Sequence, residues 1–196
     1  MQLPIISTVS EADRERIMST TLVSFASDPL LRWMLPEAHP YLGGAPGLEA
    51  FCGGAIDCGT AYRTEDFEGV AFWHAPGRGP DEDRLMEFFS SAIAEDRLPD
   101  VGKFFEKMDE YHPKGECWYL PVIGVDPAHQ GRGLGAALLK HALRIIDEEG
   151  LPAYLEASSP RNAALYERHG FEVIGKIQVG NSPIISPMLR SPKHVA

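Results

Sequence analysis

The residues best suited to chemistry in this sequence are three glycines, Gly131, Gly133 and Gly135, which follow an apolar stretch at residues 118–125. That stretch predicts a buried strand, and residues 126–127 end it because a proline cannot extend a β-ladder. Apolar residues then recur at helical spacing. The first turn of a helix has N–H groups without internal partners, and glycines let the backbone approach a ligand closely. The strand, glycine turn and helix therefore predict a phosphate-binding site.

The spacing around the glycine turn separates three kinds of phosphate ligand. A P-loop would need Gly-Lys-Ser/Thr, and two alanines stand there instead. A dinucleotide fingerprint, G-x-G-x-x-A, fits Gly131, Gly133 and Ala136. It normally opens a repeated βαβ array, however, and too little chain follows here. The third pattern, Gln-x-x-Gly-x-Gly, is formed by Gln130, Gly133 and Gly135.

The elements that would position this turn are predicted from capping residues, hydrophobic periodicity and turn residues. In chain order they are a helix after a capping box at residues 10–13, a loop at 36–47, a hairpin at 60–74, amphipathic helices at 85–93 and 101–108, the strand at 118–125 and its helix, a strand at 153–157, a helix at 160–170, and a hairpin at 171–189.

A second motif lies downstream, in the run Leu155-Glu-Ala-Ser-Ser-Pro-Arg-Asn-Ala-Ala-Leu-Tyr-Glu-Arg-His-Gly-Phe171. Its Asn162 and Tyr166 are one helical turn apart and share a helix face. The Gln-x-x-Gly-x-Gly turn and this run, in this order, resemble the two acetyl-CoA motifs of the GNAT superfamily of N-acetyltransferases. The resemblance covers residues 117–175 and extends more loosely over the N-terminal half.

Within the superfamily, the sequence looks most similar to the puromycin N-acetyltransferases. The similar stretches are His112-Pro-Lys, Trp118, the Val-Asp-Pro-x-His-Gln run that ends at Gln130, and Pro152-Ala-x-Leu-Glu-x-Ser. This similarity implies an amine acceptor without identifying it.

The resemblance implies a single α/β (α+β) domain with three layers and a mixed, mostly antiparallel central sheet of about six to seven strands. Residues 1–116 would form the acceptor-side half, residues 117–175 the acetyl-CoA-binding core, and residues 176–196 a C-terminal hairpin strand and tail. The strand that ends at Val125 should run parallel to the strand that ends at Ala157. These two strands should splay apart and admit the acyl donor.

The resemblance also implies roles in binding acetyl-CoA, the expected acyl donor. Main-chain groups of residues 123–125 would hold the pantetheine arm like an added strand, and N–H groups of residues 131–136 would cradle the pyrophosphate. Gln130 would line the turn and Asn162 would bond the pantetheine arm. Arg132 would meet the CoA 3′-phosphate or belong to a solvated helix face. The expected cofactor-binding residues are Ile123, Gly124, Val125, Gln130, Gly131, Arg132, Gly133, Leu134, Gly135, Ala136, Asn162 and Tyr166.

N-acetyl transfer requires a group that takes a proton from the amine and a group that protonates the departing thiolate. By resemblance, Tyr166 donates the proton to the thiolate; the alternative is that its ring packs in the core. Glu156 ends a strand beside the cofactor helix and would accept a proton directly or through water, or serve as a structural carboxylate. His112 and Glu116 are further candidates for the base.

The expected acceptor is a primary amine of a small molecule, which attacks acetyl-CoA directly in a ternary complex. Trp73 and Tyr119 are predicted to line its pocket, or else to be core residues, as aromatic residues in strands usually are. The net charge of −10 suits a cationic amine.

Composition limits the class of protein. The chain has 196 residues, of which 44% are hydrophobic and 23% charged, as in one globular domain. The negative charge argues against a nucleic-acid partner. No apolar run would cross a membrane and no basic-then-apolar leader is present, so we expect a cytoplasmic protein. We also expect it to be a monomer or a homodimer. Cys52, Cys58 and Cys117 lack C-x-x-C spacing, so we expect buried thiols and no metal site.

Two other functions stay open at the level of sequence. One is a catalytically silent CoA-binding or sensor domain, against which the presence of Tyr166 argues. The other is a dinucleotide-dependent oxidoreductase, because the glycine spacing also fits that fingerprint and Glu156 lies near its expected acidic position. A thermal-shift comparison of acetyl-CoA with NAD and NADP separates them, since a ligand that binds only the native state raises apparent stability.

Overall fold

The computed structural model describes residues 4–193, whose backbone contains one seven-stranded sheet. The strands are β1 Ile6–Thr8, β2 Ala61–Thr64, β3 Gly69–His74, β4 Trp118–Val125, β5 Ala153–Ala157, β6 Glu172–Val173 and β7 Ser186–Arg190. Their order in the sheet is β1-β2-β3-β4-β5-β7-β6. Every neighbouring pair is antiparallel except β4 and β5, which are parallel. The predicted mixed, mostly antiparallel sheet is confirmed.

The strands β4 and β5 pair only at their beginnings, where residues 118–120 lie beside residues 153–155. Beyond this point β4 pairs with β3 alone as far as Val125, and β5 pairs with β7. Pro121 follows the last β4–β5 pair directly and has no N–H to offer a neighbouring strand. The predicted splay is therefore confirmed, and β4 keeps an open edge from Pro121 onward.

A bulge in β4 coincides with the start of this splay. Tyr119 pairs with His74 and Val122 pairs with Phe72, so β4 has one residue more than β3 between these pairs. The extra residue interrupts the alternation of side chains between the two faces of the sheet. Tyr119 and Val122 consequently face the same side.

The helices lie on both faces of the sheet. One face is covered by the longest helix, α8, and the other by α1, α4 and α5, with α2, α6 and α7 extending that layer. Within residues 4–193, no helix combines the length and apolar character that a membrane crossing needs. The helices are α1 Arg14–Ser24, α2 Pro29–Met34, α3 Ala38–Leu42, α4 Ala45–Cys52, α5 Gly54–Asp57, α6 Glu82–Ala92, α7 Leu98–Tyr111, α8 Leu134–Glu149 and α9 Pro160–Glu167.

The loop predicted at residues 36–47 is wrong, because this segment contains α3 and the start of α4. Pro40 and Pro46 stand in the first turns of these helices, where a backbone N–H has no intrahelical partner to lose. Gly47 serves packing rather than a turn, since a Cβ there would lie 2.4 Å from the ring of Phe88 on α6. Prolines and glycines here begin helices and allow close contact between them.

The C-terminal hairpin predicted at residues 171–189 is shorter than expected. Only β6 pairs continuously with β7, and one isolated pair, Ile177 with Ile185, joins the arms further along. The sequence pattern did not predict β1, because a strand of 3 residues is too short to show periodicity.

The cysteines differ in their exposure. Cys52 and Cys117 are buried, as expected, and burial raises the pKa of both thiols. Cys58 is exposed where the chain leaves α5, so the prediction of a buried thiol is wrong for this residue.

Candidate active site

The glycine turn is built by two left-handed residues. Gly131 has φ +78° and Gly133 has φ +81°, a region that residues with a Cβ rarely adopt. A Cβ at either position would meet no atom within 4 Å, so the space in front of the turn is open. The first backbone hydrogen bond of α8 is donated by the N–H of Ala137 to the carbonyl of Gly133. The N–H groups of residues 134–136 therefore have no partner within the helix.

A cleft of ≈ 490 Å³ lies in front of this turn, between the splayed strands. It is bounded by the open edge of β4, by α9 and by the connection from α1 to α2. Of the expected cofactor-binding residues, all except Arg132 line it. The lining members of that set are Ile123, Gly124, Val125, Gln130, Gly131, Gly133, Leu134, Gly135, Ala136, Asn162 and Tyr166.

Two polar side chains of the turn are already paired within the protein. Arg132 does not line the cleft, because its Nη1 lies 2.6 Å from Oε1 of Glu68 on the turn between β2 and β3. The expectation that its side chain meets the CoA 3′-phosphate stays a prediction. The Nε2 of Gln130 donates to the carbonyl of Val125 at 3.2 Å, which ties the turn to the end of β4.

Gly124 lies on the open edge of β4 and is also constrained by the packing of α1 against this strand. A Cβ at Gly124 would lie 2.6 Å from the Cβ of Ser24, since α1 crosses β4 at this point. Gly124 therefore allows close helix–sheet packing, while its main chain stays available at the edge that faces the cleft.

The helix α9 presents Asn162 and Tyr166 to the cleft. Ser159 caps this helix, its Oγ accepting from the N–H of Asn162 at 3.2 Å, and the Asn162 Nδ2 donates to the Oγ of Ser158 at 3.4 Å. Tyr166 is buried, and burial raises its pKa, with the nearby charge of Asp28 adding to the effect. The Tyr166 hydroxyl therefore stays protonated at neutral pH.

Glu156 lies on β5, on the face shared by Tyr154 and, through the cross-strand pair, by Tyr119. Burial raises the pKa of Glu156 to about 7, and the hydroxyls of Tyr119 and Tyr154 partly offset this rise. Among residues 4–193, the Tyr154 hydroxyl has no partner within hydrogen-bonding distance. A carboxylate whose pKa is raised towards neutral pH is a stronger base than an ordinary carboxylate, which suits a general base.

A second cavity of ≈ 140 Å³ meets the cleft beside Glu156 and Tyr166. Both spaces are lined by Asn162, Tyr166 and Ser158, and Glu156 lines the second cavity only. Tyr119 lines it as well, and its place beside an acceptor stays a prediction.

Trp73 lies elsewhere. Its side chain is 0% exposed and packs in the core cluster that contains Leu138 and Leu139 of α8. The neighbouring Phe72 faces α1 and α4, so alternation along β3 turns Trp73 away from the cavity. The expectation that Trp73 lines an acceptor pocket does not agree with this placement.

Sequence reasoning missed several residues of the site. Phe25 and Asp28 line both the cleft and the cavity, and neither was predicted as a site residue. Asp28 accepts from the N–H groups of Leu30 and Leu31, both at 3.0 Å. The apolar stripes of α6 and α7 were predicted as core, yet Phe105 and its neighbours line the cavity.

Solved structures similar to this one have the same fold. One described as histone acetyltransferase HPA2 and related acetyltransferase, from Corynebacterium glutamicum, has a TM-score of 0.67 and 26% identity, covering 100% of this chain and 99% of that chain. Arylalkylamine N-acetyltransferase 2 from Aedes aegypti has a TM-score of 0.70 and 13% identity, covering 98% and 100%. Because the Aedes aegypti structure is only 13% identical, its similarity shows the fold alone.

Curated relatives are matched over part of their length. An uncharacterized N-acetyltransferase of Schizosaccharomyces pombe is 30% identical over 133 residues, 58% of this chain and 51% of the relative. A mycothiol acetyltransferase of Streptomyces avermitilis is 31% identical over 149 residues, 70% of this chain and 46% of the relative. The chain thus spans about half the length of these two relatives.

The sequence profile of the Acetyltransferase (GNAT) family matches residues 65–171, which is more than half of the chain. The matched residues include β4, the glycine turn, α8, β5 and α9, and so the parts of the cleft other than the connection from α1 to α2. This chain belongs to the GNAT family of acetyltransferases.

Proposed function

We propose that this chain transfers an acetyl group from acetyl-CoA to a primary amine of a small molecule, by direct attack in a ternary complex. The observation that carries the proposal is that Glu156 and Tyr166 line one cavity from two elements, where that cavity meets the cleft of the glycine turn. Family membership supports acetyl transfer as the reaction. Small amines as acceptors are supported by two structural neighbours, an agmatine N-acetyltransferase and a Drosophila melanogaster polyamine N-acetyltransferase.

The cleft suits acetyl-CoA mainly through backbone groups. The open space at Gly131 and Gly133, with the free N–H groups at the start of α8, suits a pyrophosphate. The open edge of residues 123–125 offers main-chain groups to an extended pantetheine arm, and Asn162 would bond the same arm. Arg132 would contribute through its main chain, because its side chain pairs with Glu68.

Glu156 and Tyr166 would move the two protons of the reaction. As the amine nitrogen attacks the thioester carbonyl carbon, a C–N bond forms and the C–S bond breaks. Glu156, with a pKa near 7, would accept the proton of the amine, directly or through water. Tyr166 would donate its hydroxyl proton to the departing thiolate sulfur.

The similarity to puromycin N-acetyltransferases stays a prediction, so an amine panel should include aminonucleosides with polyamines, arylalkylamines and peptide N-termini. Each amine is incubated with acetyl-CoA and the protein, and both thiol release and the mass of the product are measured. Intersecting double-reciprocal plots are expected for a ternary complex, whereas parallel plots would indicate an acetylated enzyme. A protein that binds acetyl-CoA and acetylates no amine would contradict the proposal and favour a silent CoA-binding domain.

A further inference from the structure

The cavity beside Glu156 is small and mainly apolar, and these properties select among amines. Resting on the proposed acetyl transfer, we propose that the acceptor is a primary amine joined to one uncharged apolar group the size of a six-membered ring. A single-ring arylalkylamine has this chemistry. The cavity would hold the ring, while the amine would lie beside Glu156, where the cavity meets the cleft.

Aromatic and aliphatic side chains of α2, α6 and α7 form part of the cavity wall, and α4 and β4 contribute much of the rest. The rings of Phe89 and Phe105 lie 5.2 Å apart and tilted, which leaves ring edges and faces for a further ring to contact. Burying a Phe-sized group in such surroundings is favourable relative to leaving it in water. Apolar wall residues include Leu31, Leu85, Phe89, Ile93, Phe105 and Met108.

The volume of the cavity sets the size of the apolar group. The cavity has ≈ 140 Å³. An apolar protein cavity of roughly 150 Å³ stays dry and binds benzene. One six-membered ring therefore fits, and a fused pair of rings does not fit without rearrangement.

The charged residues of the cavity lining determine where the acceptor can carry a cationic group and how many it can carry. The cavity lining, within the part of the chain that the structure describes, contains the carboxylates of Asp28 and Glu156 and no lysine, arginine or histidine. Asp28, Glu156 and Tyr166 all line the cavity, and the charge of Asp28 lies near the Tyr166 hydroxyl, so one ammonium group would have carboxylate partners there. The α6 and α7 walls offer no carboxylate, so a second ammonium or a guanidinium would be buried without a partner, at a large cost.

The first test compares kcat/KM for three primary amines, phenylethylamine, ethanolamine and spermidine. Phenylethylamine is expected to exceed the other two by about 10–100-fold, the effect of burying one ring. An equal or higher value for ethanolamine or spermidine would overturn the apolar acceptor while acetyl transfer itself stood.

Calorimetry in the presence of CoA keeps this inference separate from the proposed function. If no amine is acetylated, acetyl transfer fails, but saturable binding of phenylethylamine and not of spermidine would still uphold an apolar amine site. Absence of phenylethylamine binding would overturn the site itself.

A matched pair of variants tests the location. Phe105 is half-buried in the cavity wall, whereas Phe67 is half-buried on the turn after β2, beneath the guanidinium groups of Arg16 and Arg63. Phe105→Ala should raise the ratio of kcat/KM for naphthylethylamine to that for phenylethylamine by at least about tenfold. Phe67→Ala should leave this ratio unchanged. An unchanged ratio in folded Phe105→Ala would place the ring elsewhere.

Discussion

Arg190 and Asp147 form a bidentate ion pair that joins β7 to the C-terminal end of α8. Nη1 lies 2.7 Å from Oδ1 and Nη2 lies 2.8 Å from Oδ2, and Arg190 is only 3% exposed. The Arg190 Nε also donates to the carbonyl of His169, just after α9. Because α8 begins at the glycine turn, this pair fixes α8 relative to both the sheet and α9.

Arg190→Met should lower the free energy of unfolding by up to about 3–5 kcal/mol, because it leaves the mostly buried Asp147 carboxylate without its charged partner. Arg144→Met is the matched control, since Arg144 pairs with Glu148 at 2.8 Å on an exposed helix face. Such pairs contribute about 0.3–0.5 kcal/mol. Urea unfolding measures both variants, and similar small losses for the two would contradict a structural role for the buried pair.

Activity should rise with pH through about 7, because Glu156 accepts a proton only when it is ionised and its pKa is raised to about 7 by burial. Glu156→Gln should lower kcat/KM by roughly 10²–10⁴-fold and abolish this limb of the pH profile. The control is Glu116→Gln, which removes an exposed carboxylate. If Glu116→Gln removes the limb and Glu156→Gln does not, Glu116 acts as the base.

Glu156→Gln should make the folded protein more stable above pH 7, although it lowers activity. An unfolded glutamate ionises near pH ~4.3, whereas folded Glu156 holds its proton to about 7. The native state therefore loses stability as pH rises between these two values. Glu156→Gln cannot ionise, so its midpoint of denaturation should exceed that of wild type above pH 7, and the two should converge below pH ~4. If the midpoints of Glu156→Gln and wild type differ by the same amount at every pH, the pKa of Glu156 is not raised in the folded protein.

Tyr166→Phe should slow acetyl transfer by roughly 10²–10⁴-fold, because it removes the proton donor for the thiolate. The KM for acetyl-CoA should change much less, since the interaction belongs to the transition state. Packing should survive, because the ring and its contact with Phe171 remain. Single-turnover rates avoid masking by product release. Rates equal to wild type would make Tyr166 a packing residue.

Gly133→Val should raise the dissociation constant for acetyl-CoA at least tenfold, about 1.4 kcal/mol, because a side chain would enter the open space in front of the turn. Gly150→Val is the control. Gly150 has φ +69° and an equally open Cβ position, but it ends the same helix that Gly133 begins. Both variants carry similar backbone strain, so only Gly133→Val should weaken binding in a calorimetric titration. Equal affinities in two folded variants would reject the glycine turn as the binding site.

The sequence by itself determined the local parts of the site. The glycine turn depends on backbone conformations that few residues other than glycine adopt, so Gly131 and Gly133 could be identified from residue type alone. Asn162 and Tyr166 could be placed on one face because helical spacing is periodic. The separation of β4 from β5 was predictable through resemblance, and Pro121 marks where it begins.

Only the tertiary structure decided which of the remaining residues meet. A strand pattern shows that two faces exist but not which neighbour covers each, so Trp73 and Tyr119 looked equivalent although one lies beneath α8 and the other beside Glu156. Arg132 is held by Glu68, 64 residues earlier in the chain, and no local pattern encodes such a contact. The helical spacing of apolar residues predicts that Phe105 is buried. It does not show whether this side chain packs in a filled core or lines a cavity. The raised pKa of Glu156 has the same origin, because burial depends on how distant segments pack around a group.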